Sequence, residues 1–186
     1  RGVNSQSAGS GPFSYSAASS YKTVWHHYFL EGKLNLLDVE KEWFYDTGSK
    51  TLYLRVPGGG TPTGDIRGKT QTYAFNISNS SYVTLKGLNF FGTTFKFYNS
   101  ENMTVENCDL LYPSCSKRML GSMAAPEGTK ITQPNKSNAS NCTVKDCSFS
   151  FAESYAIYTD GDGNRIENSY FGNIDWVVSE LPYLQA

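Results

Sequence analysis

The chain has 186 residues, 16 basic against 17 acidic side chains, a net charge of −1 and 15% aromatic residues. That length carries one domain with a core. The balanced charge suggests no nucleic-acid or anionic-membrane partner, and no apolar run approaches a membrane span.

Residues 1–24 are rich in Ser, Gly and Ala and lack the periodicity that builds a core. They are expected to run as an irregular extended segment anchored by Phe13, Tyr15 and Tyr21. No signal peptide is visible and the chain starts at Arg1, so a processed product or a piece of something longer is expected. Residues 25–71 read as a lead-in or cap. Phe29, Leu30, Leu34 and Leu37 have the spacing of a short amphipathic helix. Glu42–Asp46 and Thr51–Val56 read as a β-hairpin turning at Thr47-Gly48-Ser49-Lys50, with Trp43 and Tyr45 on one face. His26 and His27 are adjacent; on a strand they point to opposite faces, so they make a poor chelating pair and each reads as structural.

From Phe75 to Phe171 one pattern recurs four times: FNISNSSYVTLKGLNF, FKFYNSENMTVENCDL, PNKSNASNCTVKDCSF and AIYTDGDGNRIENSYF. The copies align without a gap, with Thr84, Thr104, Thr143 and Arg165 equivalent. One repeat takes about 20–22 residues, a solenoid period. Leu85, Val105, Val144 and Ile166 form an aliphatic column between polar columns, the period-2 alternation of a half-buried strand. Gly87, Asn107, Asp146 and Asn168 form a corner column, because these types tolerate left-handed backbone. A second corner is expected at Asn79, Asn99, Asn138 and Asp160. Helical repeats fail on the apolar spacing, and a β-sandwich would not need the same corner residues four times.

The third copy arrives about 19 residues late, which places an inserted loop within residues 112–133, with Lys117, Arg118 and Lys130 beside Met119, Leu120 and Met123. The loop reads as a lid that packs Met119 and Met123 on the side of the stack. Cys115 and Cys142 bracket it, and Cys108 and Cys147 share a column in neighbouring repeats. Nested bridges, Cys115 with Cys142 and Cys108 with Cys147, would close the loop at its base; four cysteines allow three connectivities, and a reduced ladder at Cys108 and Cys147 is the alternative. Glycosylation sequons stand at Asn76, Asn79, Asn102, Asn135, Asn138 and Asn141. They point to N-linked glycans and a secreted or cell-surface location. Asn79 and Asn138 conflict with this, because an inward corner side chain could not bear a glycan.

The phrases YVTLKGLNF, NMTVENCDL and GNRIENSYF, with the lead-in at residues 30–59, resemble the pectate-lyase-like superfamily. The resemblance covers roughly residues 25–178. It implies an all-β, right-handed parallel β-helix solenoid over residues 72–186, with a lead-in containing a β-hairpin and a short helix. For the inserted loop it implies a substrate groove or a partner contact instead of a lid. It leaves function open, because the superfamily spans lyases, hydrolases, tailspikes and adhesins. Catalysis would need paired carboxylates, or a base with a cation. The candidates are Glu153, Asp160, Asp162 and Asp175, with Lys117 and Arg118 for a lyase, and none matches a catalytic signature. The turn TDGDGN hints at calcium but lacks the ligand count of a site.

Three functions follow. The first is a glycosylated extracellular β-helix with a structural role in a coat, fibre or surface appendage. The second is a polysaccharide lyase or glycoside hydrolase. The third is a carbohydrate-binding or adhesin module. Ile174, Trp176, Val177 and Val178 read as the start of another strand set, with Pro182 soon after. The end of the stack is therefore expected to be covered by further repeats or by another copy, giving a filament.

Overall fold

The computed structural model describes residues 32–115, 126–153 and 155–174. They fall into two compact units, one including residues 32–65 and the other residues 66–115, 126–153 and 155–174. The extended segment at 1–24, His26, His27, Phe29 and Leu30 lie outside the described residues.

The first unit is a hairpin. β1 (Trp43–Asp46) pairs antiparallel with β2 (Thr51–Leu54), Trp43 opposite Leu54 and Asp46 opposite Thr51. The Asp46 carboxylate makes the turn: it accepts from the Gly48 N–H at 2.9 Å and the Ser49 hydroxyl at 2.7 Å. Those bonds hold its carboxyl below the ordinary Asp value, Ser49 contributing most. Phe44 packs against Tyr53 across the pair, 6.2 Å between ring centres. Among the described residues the expected amphipathic helix is present as a single 3-10 turn, Leu34–Leu36. The Glu42 carboxylate accepts from the N–H groups of Asp38 and Val39, both at 2.9 Å, and this draws the backbone out of a helical path.

The second unit is all-β. Its strands come in four triplets: β3 (Tyr73–Ser78), β4 (Thr84–Lys86) and β5 (Asn89–Phe91); β6 (Thr94–Tyr98), β7 (Thr104–Glu106) and β8 (Asp109–Leu111); β9 (Thr129–Thr132), β10 (Thr143–Lys145) and β11 (Ser148–Ser150); β12 (Ile157–Thr159), β13 (Arg165–Glu167) and β14 (Tyr170–Gly172). Each triplet gives one strand to each of three parallel sheets, β4-β7-β10-β13, β5-β8-β11-β14 and β3-β6-β9-β12. Leu85, Val105, Val144 and Ile166 are in register, as are Phe90, Leu110, Phe149 and Phe171. With Phe95, Phe97 and Ile131 of the third sheet these columns meet in one core cluster, except that Ile166 and Phe171 of the last triplet stay exposed. Outside the first sheet the column Lys86, Glu106, Lys145, Glu167 alternates in sign. Glu106 takes Lys86 at 3.1 Å and Lys145 at 3.5 Å, and the Lys86 hydrogen bond chiefly holds its carboxyl low.

Left-handed residues turn the chain at each corner. Gly87, Asn107, Asp146 and Asn168 all have positive φ, as expected. Two further columns are left-handed throughout: Tyr82, Asn102, Asn141 and Gly163, and Gly92, Tyr112, Phe151 and Asn173. Side chains tie neighbouring corners together. Asn99 donates its amide to Asn79 at 2.6 Å, and Asn168 to Asp146 at 2.5 Å.

The gapless alignment holds through the first two copies and needs correction in the others. Phe95 stands level with Thr129 and Ile157, not with Pro134 and Ala156. The strand β9 thus lies inside the stretch that reads as insertion. The extra residues are divided between the connection from β8 to β9 and an excursion after Gln133. At the second expected corner Asn79 and Asn99 are left-handed, but in the fourth repeat Gly161 (φ 88°), not Asp160, makes the turn.

The disulfide expectation is also corrected: all four cysteines are free thiols. The excursion between β8 and β9 ends at β9, so Cys142, at the entry of β10, does not lie at its base. In the Cys108 and Cys147 ladder both thiols point the same way, each toward a carbonyl of the preceding repeat, Leu85 O and Val105 O, at 3.7 Å. Burial pushes the Cys147 thiol pKa up.

Candidate functional site

The outer face of the third sheet carries the most unusual grouping. Asn76, Lys96, Lys130 and Tyr158 share one register position, and Ser78, Tyr98, Thr132 and Asp160 the next outward one. Strand alternation sets this: Phe95, Phe97 and Ile131 point into the core, so the residues between and beside them point out. Lys96 and Lys130 are therefore like charges directly opposite on adjacent strands, an arrangement that costs stability. Both are half-buried, and among the described residues neither has a carboxylate partner. Lys96 Nζ lies instead 5.9 Å from the Tyr73 ring centre and 5.7 Å from that of Tyr98. The first sheet, by contrast, places Glu106 between Lys86 and Lys145.

Beside this face the entries of β3, β9 and β12 gather a second group. The Tyr73 phenol is partly buried there and feels the charge of Glu127 and the Tyr155 phenol. Glu127 also bridges Cys115 through backbone pairing. The Tyr155 hydroxyl accepts from the Gly128 N–H at 3.3 Å. A Cβ at Gly128 would meet Tyr155 at 3.1 Å and Ser114 at 3.2 Å, so only glycine lets these strands approach. Ser114 donates its hydroxyl to Glu153 O at 2.7 Å. Burial pushes the Cys115 thiol up; Lys69 opposes this and Glu153 adds to it.

Burial, then Glu127 and Tyr155, raise the Tyr73 phenol from 10.0 to about 12. The raised folded-state pKa contributes stability that is complete below pH 10.0 and is lost as pH climbs to about 12. Tyr73 is expected to give a late phase near pH 12 in an alkaline titration followed at the phenolate absorbance. Its replacement by Phe should remove that late phase; a late phase that persists in Tyr73→Phe would place the perturbed phenol elsewhere.

Of the candidates read from sequence, Glu153 joins the Cys115 group. The Asp160 carboxylate accepts from the Gln133 N–H, a structural role. Asp162 sits exposed in its turn and bonds through its backbone, its N–H to Asn138 O and its carbonyl to the N–H groups of Ser140 and Asn141. Lys117, Arg118, Asp175 and the rest of the chain after Ile174 lie outside the described residues. Among the described residues no three of His, Cys, Asp or Glu gather as a metal site. Sequence reasoning missed Tyr73, Lys96, Glu127 and Tyr155 and placed Lys130 in a loop. The shared strand triplets Phe95-Lys96-Phe97 and Thr129-Lys130-Ile131 could have found the lysine pair.

The sequons divide by position. Asn76 stands on the lysine face. Asn79, Asn102, Asn135, Asn138 and Asn141 all lie on the connections from the third sheet to the first. Asn79 and Asn138 are exposed, so the conflict expected for them does not arise, and Asn102 is half-buried. A cavity of about 550 Å³ in the hairpin unit is lined by Glu40, Leu54, Arg55 and the Gly58–Gly60 turn, and Glu40 there accepts from the Gly58 N–H. No family model, curated protein or solved structure matches the chain.

Proposed function

We propose that this chain is a right-handed parallel β-helix module of the pectate-lyase-like kind that acts outside the cell and binds an anionic polysaccharide on its third sheet. One observation carries the reading: Lys96 and Lys130 face each other, half-buried and without a carboxylate partner among the described residues, on a surface rimmed by Tyr73, Tyr98 and Tyr158. A row of uronate or sulfate groups would supply the missing counter-charges, and the tyrosines offer apolar faces and hydroxyls to sugar rings. The six sequons support the extracellular location; the cysteines, being free, no longer do.

The test is affinity electrophoresis of the full chain in gels containing polygalacturonate or a neutral glucan. Retardation by polygalacturonate alone is expected, weakening as salt rises. Lys96→Gln with Lys130→Gln should weaken it about tenfold, the loss of two surface charge contacts. Equal retardation of the variant, or retardation by the neutral glucan, would refute the reading. Glycosidase treatment of the natural protein should lower its mass; an unchanged mass would remove the glycoprotein part.

A second reading, a structural unit in a coat, fibre or appendage, has its own observation. In the last repeat Ile166 and Phe171 are 43% and 41% exposed, whereas Val144 and Phe149 beneath them are fully buried. Such an end accepts a further strand set. Sedimentation of the native material distinguishes the two: a monomer that binds polygalacturonate supports the first reading alone.

A further inference from the structure

The six sequons are not equivalent in the folded chain. Asn76 alone of them lies within a strand, β3. That strand ends the third sheet, with β6 on its one paired side. Phe75 and Ile77 pack against the core cluster, so Asn76 and Ser78, the acceptor and the hydroxyl of the sequon, both point outward, and both are exposed. Among the described residues the Asn76 side chain makes no hydrogen bond. Most of the other acceptors are engaged. Asn79 accepts the Asn99 amide at 2.6 Å, Asn135 accepts the Ser137 N–H at 3.1 Å, Asn102 is half-buried, and Asn141 Oδ1 is packed on Gly163. Asn138 is exposed, on the excursion after Gln133.

What sets Asn76 apart is its neighbour. Lys96 stands directly opposite it on β6, one strand spacing away at ~4.8 Å, and Lys130 follows on β9. We propose that Asn76 carries an N-linked glycan that covers Lys96, so that occupancy of this one sequon opens or closes the lysine face. The consequence for ligand binding rests on the lysine-face reading above; the modification and the covering do not. The step is a glycosyl transfer from an oligosaccharide-diphospholipid donor. A bond forms between Asn76 Nδ2 and the anomeric carbon, the bond from that carbon to the diphosphate breaks, the diphosphate leaves with the electron pair, and the amide gives up one proton. The first sugar is then joined directly to the carboxamide nitrogen and stands over the register neighbour of Asn76. Lys96 offers it three N–H donors that no carboxylate among the described residues takes up, and the Tyr98 ring beside Lys96 offers an apolar face. The polygalacturonate retardation expected above belongs to chains whose Asn76 is bare.

The test compares the full chain, secreted from a cell that N-glycosylates, with its Ser78→Ala variant. That change removes the hydroxyl the sequon requires and keeps Asn76. Glycopeptide mapping should find Asn76 occupied in wild type and bare in the variant. The rate at which an amine-acylating reagent modifies Lys96 should rise several-fold in the variant, and that of Lys130 by less. Lys86 and Lys145 of the first sheet should react at unchanged rates. Polygalacturonate should retard the variant and not the occupied wild type. A bare Asn76 in wild type, with glycans on other sequons, overturns the proposal and leaves the lysine-face reading standing. An occupied Asn76 with equal Lys96 rates in the two proteins overturns the covering. Faster labelling of Lys96 in a variant that polygalacturonate does not retard supports the covering and overturns the lysine-face reading alone. If Ser78→Ala fails to fold, Asn76→Gln is judged by the same rates.

Discussion

Val105→Asp is expected to abolish the folded state. Val105 is fully buried, level with Leu85 on one neighbouring strand and Val144 on the other. The new carboxylate would face only apolar side chains of the core cluster, with nothing to pair it. An unpaired buried charge combined with the lost packing costs roughly 4 kcal/mol or more. That is comparable with the whole stability of a domain, about 5–15 kcal/mol. The position aggravates the loss, because a repeat stack is held by nearest-neighbour interfaces and the second repeat belongs to two of them. Thr104→Asp is the control. Thr104 precedes Val105 on the same strand, points outward and lies between Thr84 and Thr143. Circular dichroism melts should show a cooperative transition for Thr104→Asp near that of wild type, and none for Val105→Asp. A wild-type melt for Val105→Asp would mean that the strand presents its other face to the core.

The register behind that prediction was readable in the sequence because the first and second sheets keep constant spacing. Thr84, Thr104, Thr143 and Arg165 are level in the structure as they are in the alignment. The third sheet was not readable, for a physical reason. Its strands stand between two connections of uneven length: Leu110 to Thr129 is far longer than Phe90 to Phe95 or Phe149 to Ile157, and Thr129 to Thr143 carries a further excursion that Phe75 to Thr84 and Phe95 to Thr104 lack. The Asn- and Ser-rich PNKSNASN of that excursion imitates a corner, drew the alignment onto itself, and hid the strand at Thr129–Thr132. The Cys115 bridge was expected from the same slip. The lysine pair disappeared with it, because Lys130 then read as a loop residue with no opposite number. The corner at Tyr112 and Phe151 was invisible for a different reason: composition identifies left-handed positions only where glycine, asparagine or aspartate occupies them.

Gly161→Ala is expected to destabilise by about 3 kcal/mol, and its effect measures the corner that the alignment displaced by one residue. Gly161 is left-handed, so any side chain there costs about 1–2 kcal/mol before contacts are considered. Contacts add to this. A Cβ would stand 2.7 Å from Gln133 Cγ, 3.0 Å from Asn138 O and 3.0 Å from Ser140 Cβ. One of these is backbone, and Gln133 cannot swing aside cheaply. It is buried, its amide donates to Ser100 O at 2.8 Å, and its N–H donates to the Asp160 carboxylate. Displacing it leaves buried polar groups unmatched, at about 1–3 kcal/mol. Gly92→Ala separates the two contributions. Gly92 is also left-handed, but nothing lies within 4 Å of a Cβ built there. It should show the conformational cost alone, about 1–2 kcal/mol. Denaturant titrations should therefore shift the midpoint of Gly161→Ala well beyond that of Gly92→Ala at unchanged slope. Equal shifts would mean that Gln133 does not fill the fourth corner and that the excursion after it packs elsewhere.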